Sequence, residues 1–176
     1  MHPFPELANR CASFTLGKLQ DLKKETIHQL QFSGATILVK TLQMIRLEKA
    51  IQVVGTFSLF EALLQERLNC NDGFKEAKVI LTKHNKVELL GRFTDVELVV
   101  NALKHGKGKS YNTLIGKDGG SFKTKLKGFD IKEYEEGDVS EITTLIDVDD
   151  EFIHECIKLI TEIAIVIEEA RPGVFL

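Results

Sequence analysis

From Gln31 to about Asn69 the apolar residues recur at helical spacing, through Ile37, Leu38, Ile45, Val53, Phe57, Phe60 and Leu64. No other stretch of the chain constrains the fold as strongly. Its polar side, which includes Lys40, Arg46, Glu48, Lys49 and Gln52, fades after Gln52, so the second half is expected to be the more buried. Gly55 is expected to break the helix or to mark a close helix contact. A long one-sided helix needs other helices to cover it, and the rest of the chain supplies candidates.

Pro5 to about Leu30 has apolar residues at Leu7, Cys11, Phe14, Leu19, Leu22 and Ile27, which predicts a first helix. Asn69-Cys-Asn-Asp-Gly73 is turn chemistry, with Gly73 expected at positive φ, and Phe74 to about His84 reads as a short third helix. Thr94 and Glu97 have capping-box spacing and Gly106 suits the left-handed position past a helix end, so Asp95 to His105 is predicted helical. Val87 to Leu90 reads as a separate short turn before it. In the last helix Asp149 or Asp150 caps the start, Phe152, Cys156, Leu159, Ile160, Ile163 and Ile167 line one face, and Pro172-Gly173 closes it. Ile153, Ile157, Ala164, Ile165 and Val166 widen that face, so this helix is expected to be central or shared with a second subunit. The expectation is an all-α bundle of about five helices, with an irregular, partly β insertion before the last. Within it, 121–126 and 141–148 read as short strands.

A chain of 176 residues with 43% hydrophobic content can bury one core, so a single domain over 1–176 is the default, with 110–146 as a charged insertion. The net charge of −3 does not mark the whole chain as a nucleic-acid binder. Locally the picture differs. Lys104 to Lys127 holds seven Lys against one Asp, and Asp130 to Glu151 holds ten acidic residues against one Lys. Blocks of this kind belong to solvated segments or to a binding face. Cys11, Cys70 and Cys156 lack metal-ligand spacing and read as reduced thiols of a cytoplasmic protein. The start lacks a signal-peptide pattern, and no apolar run reaches the roughly 20 residues a membrane span needs.

Asn101 and His105 lie four residues apart on the second apolar face of the capped helix, beside Leu98 and Ala102, and are therefore side-chain neighbours. The run Val-Asn-Ala-Leu-Lys-His-Gly, after a long helix containing Val53-Val-Gly-Thr-Phe57 and Glu61, resembles the HEPN superfamily of helical-bundle proteins. Many of its members are prokaryotic ribonucleases, toxins or defence components. The resemblance covers the middle of the chain, to Gly106. That family's motif is an arginine, a following polar residue and a histidine four to six positions after the arginine. Asn101 takes the polar position and His105 the histidine; Val100 stands at the arginine.

The resemblance implies a HEPN-like bundle in a prokaryotic stress, defence or toxin–antitoxin setting, either a degenerate metal-independent endoribonuclease or an RNA- or protein-binding dimerisation module. It implies His105, Asn101 and Lys104 as the reacting cluster, with Lys107, Lys109 and Arg92 as phosphate contacts. RNA cleavage of this type needs a base for the 2′-hydroxyl, an acid for the leaving oxygen and a cation for the developing charge. With Val100 at the arginine, Lys104, Lys107 or Arg92 has to supply that cation, and a lysine lacks the bidentate fork. A plainer reading has Asn101 and His105 closing the helix end and bonding to a neighbour. A homodimer is expected, because the capped and last helices carry more apolar surface than one core covers. An antitoxin or another protein is the further partner the resemblance implies.

One reading from another class rests on Glu25-x-x-His28 and Glu151-x-x-His154, the spacing of di-metal carboxylate bundles, with Glu61 or Glu97 as bridging carboxylates. Both units fall near helix ends, and Ile27 and Ile153 are expected to claim the core positions beside them. No metal site and no cofactor are therefore assigned. Gly106-Lys-Gly-Lys lacks the spacing of a phosphate loop.

Overall fold

The structure is a computed structural model and describes residues 2–116, 129–131 and 146–176. Among these residues the chain forms six helices and one two-stranded ribbon, in the order α1 (Phe4–Leu30), α2 (Thr36–Leu68), α3 (Gly73–Lys83), α4 (Val87–His105), α5 (Lys109–Gly116), β1 (Phe129–Ile131), β2 (Ile146–Val148) and α6 (Asp150–Ala170). The fold is an all-α helical bundle. No helix among the described residues is long and apolar enough to cross a membrane.

Helix α6 packs against α1, α2, α3 and α4. Its apolar residues from Phe152 to Ile167 are buried, except for Ile165. An apolar surface wider than one stripe is thus used by placing the helix at the centre. Asp149 starts it by accepting a hydrogen bond from Phe152 N at 2.8 Å, which satisfies one of the free amides of the first turn. An aromatic cluster joins the other helices. Phe74 of α3 meets Phe93 of α4 edge-on at 5.1 Å between centroids and Phe57 of α2 at 6.2 Å. The C-terminus returns to the start of α1, where Leu176 O accepts from Phe4 N at 2.9 Å.

The structure departs from the sequence reading at several points. Helix α4 is continuous from Val87. Thr94 does not cap it: its hydroxyl donates to Leu90 O at 2.8 Å inside the helix, and Glu97 instead pairs with Lys78 of α3. Capping-box spacing inside a helix therefore served two other bonds. Gly55 leaves α2 unbroken and makes no close contact, since a Cβ there would meet nothing within 4 Å. Asn69, at φ 50°, supplies the left-handed residue of the α2–α3 turn, in place of Gly73. Gly73 is required for another reason. A Cβ on it would lie 2.6 Å from Glu61 O and 2.8 Å from Leu64 Cβ, so only glycine lets α3 start against α2.

Asp72 caps α3 by accepting from Lys75 N at 2.9 Å. Residues 31–35 form the α1–α2 turn, where Ser33 Oγ accepts from Ala35 N at 3.3 Å. Helix α5 occupies the start of the stretch expected to be irregular, anchored by buried Tyr111 and Leu114. The strand expected over 141–148 is present at Ile146–Val148, paired antiparallel with β1 in the register Phe129↔Val148 and Ile131↔Ile146. The strand expected at 121–126 lies outside the described residues.

The two helices expected to leave apolar surface for a partner are largely covered by their own chain, with Val87 of α4 and Ile165 of α6 the exposed exceptions among their large apolar residues. Helix α4 contacts α2, α3 and α6, and also α5 and β2, so a helix apolar on two sides is packed on two sides. The other uncovered apolar residues lie elsewhere, chiefly on α1 and α2.

Candidate functional site

The last turn of α4 sets the geometry of the predicted cluster. Val99, Val100 and Ala102 point into the core, Asn101 and Leu103 are half-buried, and Lys104 and His105 are exposed. Gly106 ends the helix at φ 71°, and its amide donates to Ala102 O at 2.8 Å. The chain then turns through Lys107 and Gly108 into α5, whose first residue is Lys109. Lys104, His105, Lys107 and Lys109 are thus brought together as exposed groups around one corner.

Asn101 and His105 are not both enclosed between helices, and the reading in which they bond to a neighbour finds no such bond among the described residues. His105 stands at the edge, and neither side chain has a hydrogen-bond partner among the described residues. His105 is the last residue of α4, beyond the buried Ala102 and one residue before the helix ends at Gly106. Positive groups in a last turn are favoured by the partial negative charge of the helix end, by about 0.3–1 kcal/mol each.

Val100 is 3% exposed and belongs to the core, so the arginine position of the motif is taken by packing. Arg92 does not join the cluster. It lies thirteen residues back along α4, about 20 Å by helical rise. Its guanidinium is held by two carboxylates of α6, Glu162 at 2.7 Å and Glu155 at 3.7 Å. There it borders a separate cavity of about 480 Å³ with Glu88, Leu89 and Val166. Arg92 therefore joins α4 to α6. Among the sequence-predicted cations, only the lysines remain beside His105.

Two features went unread in the sequence. A groove of about 330 Å³ runs beside the corner, lined by Leu47, Ala50, Ile51, Val54 and Gly55 of α2 and by Leu103 and Lys104. Apolar periodicity marks these α2 residues as helical without saying which face stays open. The second feature is Asp150, which receives Lys49 Nζ at 2.7 Å and Gln20 Nε2 at 2.9 Å, tying α1 and α2 to the start of α6. Burial alone would raise the Asp150 carboxyl. The bonds from Lys49 and Gln20 and the charges of Lys49 and Lys23 outweigh it and hold the group below the usual carboxylate range.

The di-metal reading is not realised in this geometry. Glu25 accepts from Gln29 Nε2 at 2.8 Å and His28 lies edge-on to Phe32, both exposed on α1. Glu151 and His154 are exposed on α6, and Glu97 is taken by Lys78. The inward positions of the two units belong to Thr26 in the first and to Phe152 and Ile153 in the second; Ile27, expected in the core, is exposed. Among the described residues no three His, Cys, Asp or Glu side chains converge to hold an ion. Cys156 is buried, and its thiol is pushed far above the usual range by desolvation, with a smaller contribution from the Glu155 charge, so it has no nucleophilic character.

Comparison of the chain with protein-family models, curated proteins and solved structures returns no match.

Proposed function

We propose that this chain is an RNA-directed binding module of HEPN-like kind that grips a single-stranded segment at the α4–α5 corner and does not cut it. The observation that carries this reading is the exposure of Lys104, His105, Lys107 and Lys109 around Gly106, with no arginine among them. Three ammonium groups on one corner suit a run of phosphates, and each neutralised phosphate releases counterions. An exposed imidazole with a half-buried amide one turn away offers a stacking surface and hydrogen bonds to a base edge.

Cleavage asks for more. It needs a second proton-transfer group and a cation shaped for the phosphorane, and the corner offers one imidazole per chain and point charges only. A stress, defence or toxin–antitoxin setting, with an antitoxin or other protein partner, is part of the same proposal and rests on the resemblance, and a cytoplasmic location rests on the unpaired cysteines.

The test is fluorescence anisotropy of a labelled single-stranded RNA titrated with the full chain at several salt concentrations. The triple variant K104A/K107A/K109A is expected to weaken binding and to reduce the salt slope by about 2, at roughly 0.7 per lost phosphate contact. Wild type and H105A are expected to leave the RNA equally intact. Unchanged binding by the triple variant would leave these lysines as helix-end charges and end the proposal. Cleavage by wild type that H105A abolishes would restore the enzyme.

A further inference from the structure

Helix α2 carries an apolar stripe that stands exposed among the described residues. Ile37, Met44, Leu47 and Ile51 are 65%, 48%, 46% and 53% exposed, and half-buried Val54 continues the line. The spacings of seven, three, four and three residues are those of a helix that meets another along a seam. The stripe spans about 25 Å of helix axis. The opposite side of α2 is the one that enters the core, through Ile45, Val53, Phe57, Phe60 and Leu64.

One end of this stripe is hollow and the other projects. At Ile51 and Val54 it forms the wall of the 330 Å³ groove beside Leu103, where Gly55 adds no side chain. At Ile37, in the first turn of α2, a large aliphatic side chain stands clear of the bundle. The charges along the stripe are also ordered. Lys40 and Glu48 are exposed, have no ionic partner among the described residues, and lie four residues to either side of Met44. Ile37 and Ile51 lie seven residues to either side of it.

We propose that α2 pairs antiparallel with α2 of a second copy of this chain, about a two-fold axis through Met44. In that register Met44 meets Met44, Lys40 faces Glu48 of the second copy, and Ile37 of the second copy seats on Ile51 at the groove. A self-complementary patch of this kind is what a two-fold interface requires. A parallel pair would set Lys40 against Lys40 and Glu48 against Glu48, so charge selects the antiparallel arrangement. Methionine on the axis suits the position, because its unbranched side chain adapts to its own image. The pairing closes each groove next to Lys104 and brings a second chain to the edge of the lysine corner. It is carried by α2 alone and does not depend on RNA binding.

Sedimentation equilibrium of the full chain at tens of micromolar is expected to give a dimer. Leu47→Asp with Ile51→Asp, both exposed positions, is expected to give a monomer with an unchanged helical circular dichroism spectrum. Lys40→Glu is expected to weaken the dimer about tenfold by opposing Glu48 twice, and adding Glu48→Lys is expected to restore it. In a Cys11→Ser background, Met44→Cys is expected to oxidise to a covalently linked dimer. A monomeric wild type overturns the proposal, and so does a dimer that survives the two aspartates. A dimer that the charge swap does not restore overturns the register and, with it, the proposal.

Discussion

Lys49 of α2 places its ammonium 2.7 Å from a carboxylate oxygen of Asp150 in the first turn of α6, and Gln20 of α1 bonds the other oxygen at 2.9 Å. Three helices therefore meet on one carboxylate, beside the free amides that start the central helix.

Asp150→Asn is expected to cost about 1 kcal/mol at neutral pH, read as a shift in the chemical-denaturation midpoint. The folded carboxyl is held below its ordinary range, so its contribution is present above the unfolded value and is lost as pH falls through the folded one. The gap between wild type and variant is expected to shrink as the pH drops below about 4. A gap that stayed constant down to pH 2 would show that the charge is not what matters.

Arg92→Ala is expected to destabilise the bundle by about 1–3 kcal/mol, because Glu155 and Glu162 lose the cation they share. RNA anisotropy of the same variant is expected to match wild type. If Arg92→Ala weakened RNA binding as much as loss of the lysines, the separation of these two groups along α4 would be wrong.

Gly73→Ala and Gly17→Ala are expected to move stability in opposite directions. At Gly73 the new methyl would press on the Glu61 carbonyl and on Leu64 Cβ, costing about 1–3 kcal/mol. At Gly17, inside α1 with nothing within 4 Å, alanine is expected to add about 0.5–1 kcal/mol through helix propensity. Thermal unfolding of the two variants side by side checks both.

Cys11 and Cys156 are expected to differ in reactivity under native conditions. A thiol reagent at mildly alkaline pH is expected to label exposed Cys11 quickly and to leave Cys156 untouched until denaturant is added. Rapid native labelling of Cys156, located by peptide mass mapping, would contradict its place in the core.

The helix ends were the most legible part of the chain. Asp149 and Gly106 each act within one turn of their own position, so residue types alone placed the end of α4 and narrowed the start of α6 to Asp149 or Asp150, whereas the cap of α3 at Asp72 was read only as part of a turn. Thr94 and Glu97 show the limit of such reading. The same two residue types at the same spacing went to an intrahelical carbonyl and to a lysine of α3, because Leu89 and Phe93 pack an earlier turn into the core and carry the helix back to Val87. The cluster was legible in membership for Lys104, His105, Lys107 and Lys109, which are neighbours in the chain. For Arg92 it was not, since its partner Glu162 is 70 residues away.

By itself the sequence determined that this chain is a set of amphipathic helices with one helix apolar enough to stand at the centre, since periodicity, capping and propensity act over a few residues. Tertiary structure decided which surfaces those helices leave open: that α4 and α6 are covered along most of their apolar surface, with Val87 and Ile165 left exposed, that His105 stands exposed at the helix end, that Arg92 is spent on two carboxylates, and that the stripe from Ile37 to Ile51 faces outward. Each of these depends on which distant element packs on a face, and side-chain spacing along one helix carries no information about what lies across from it.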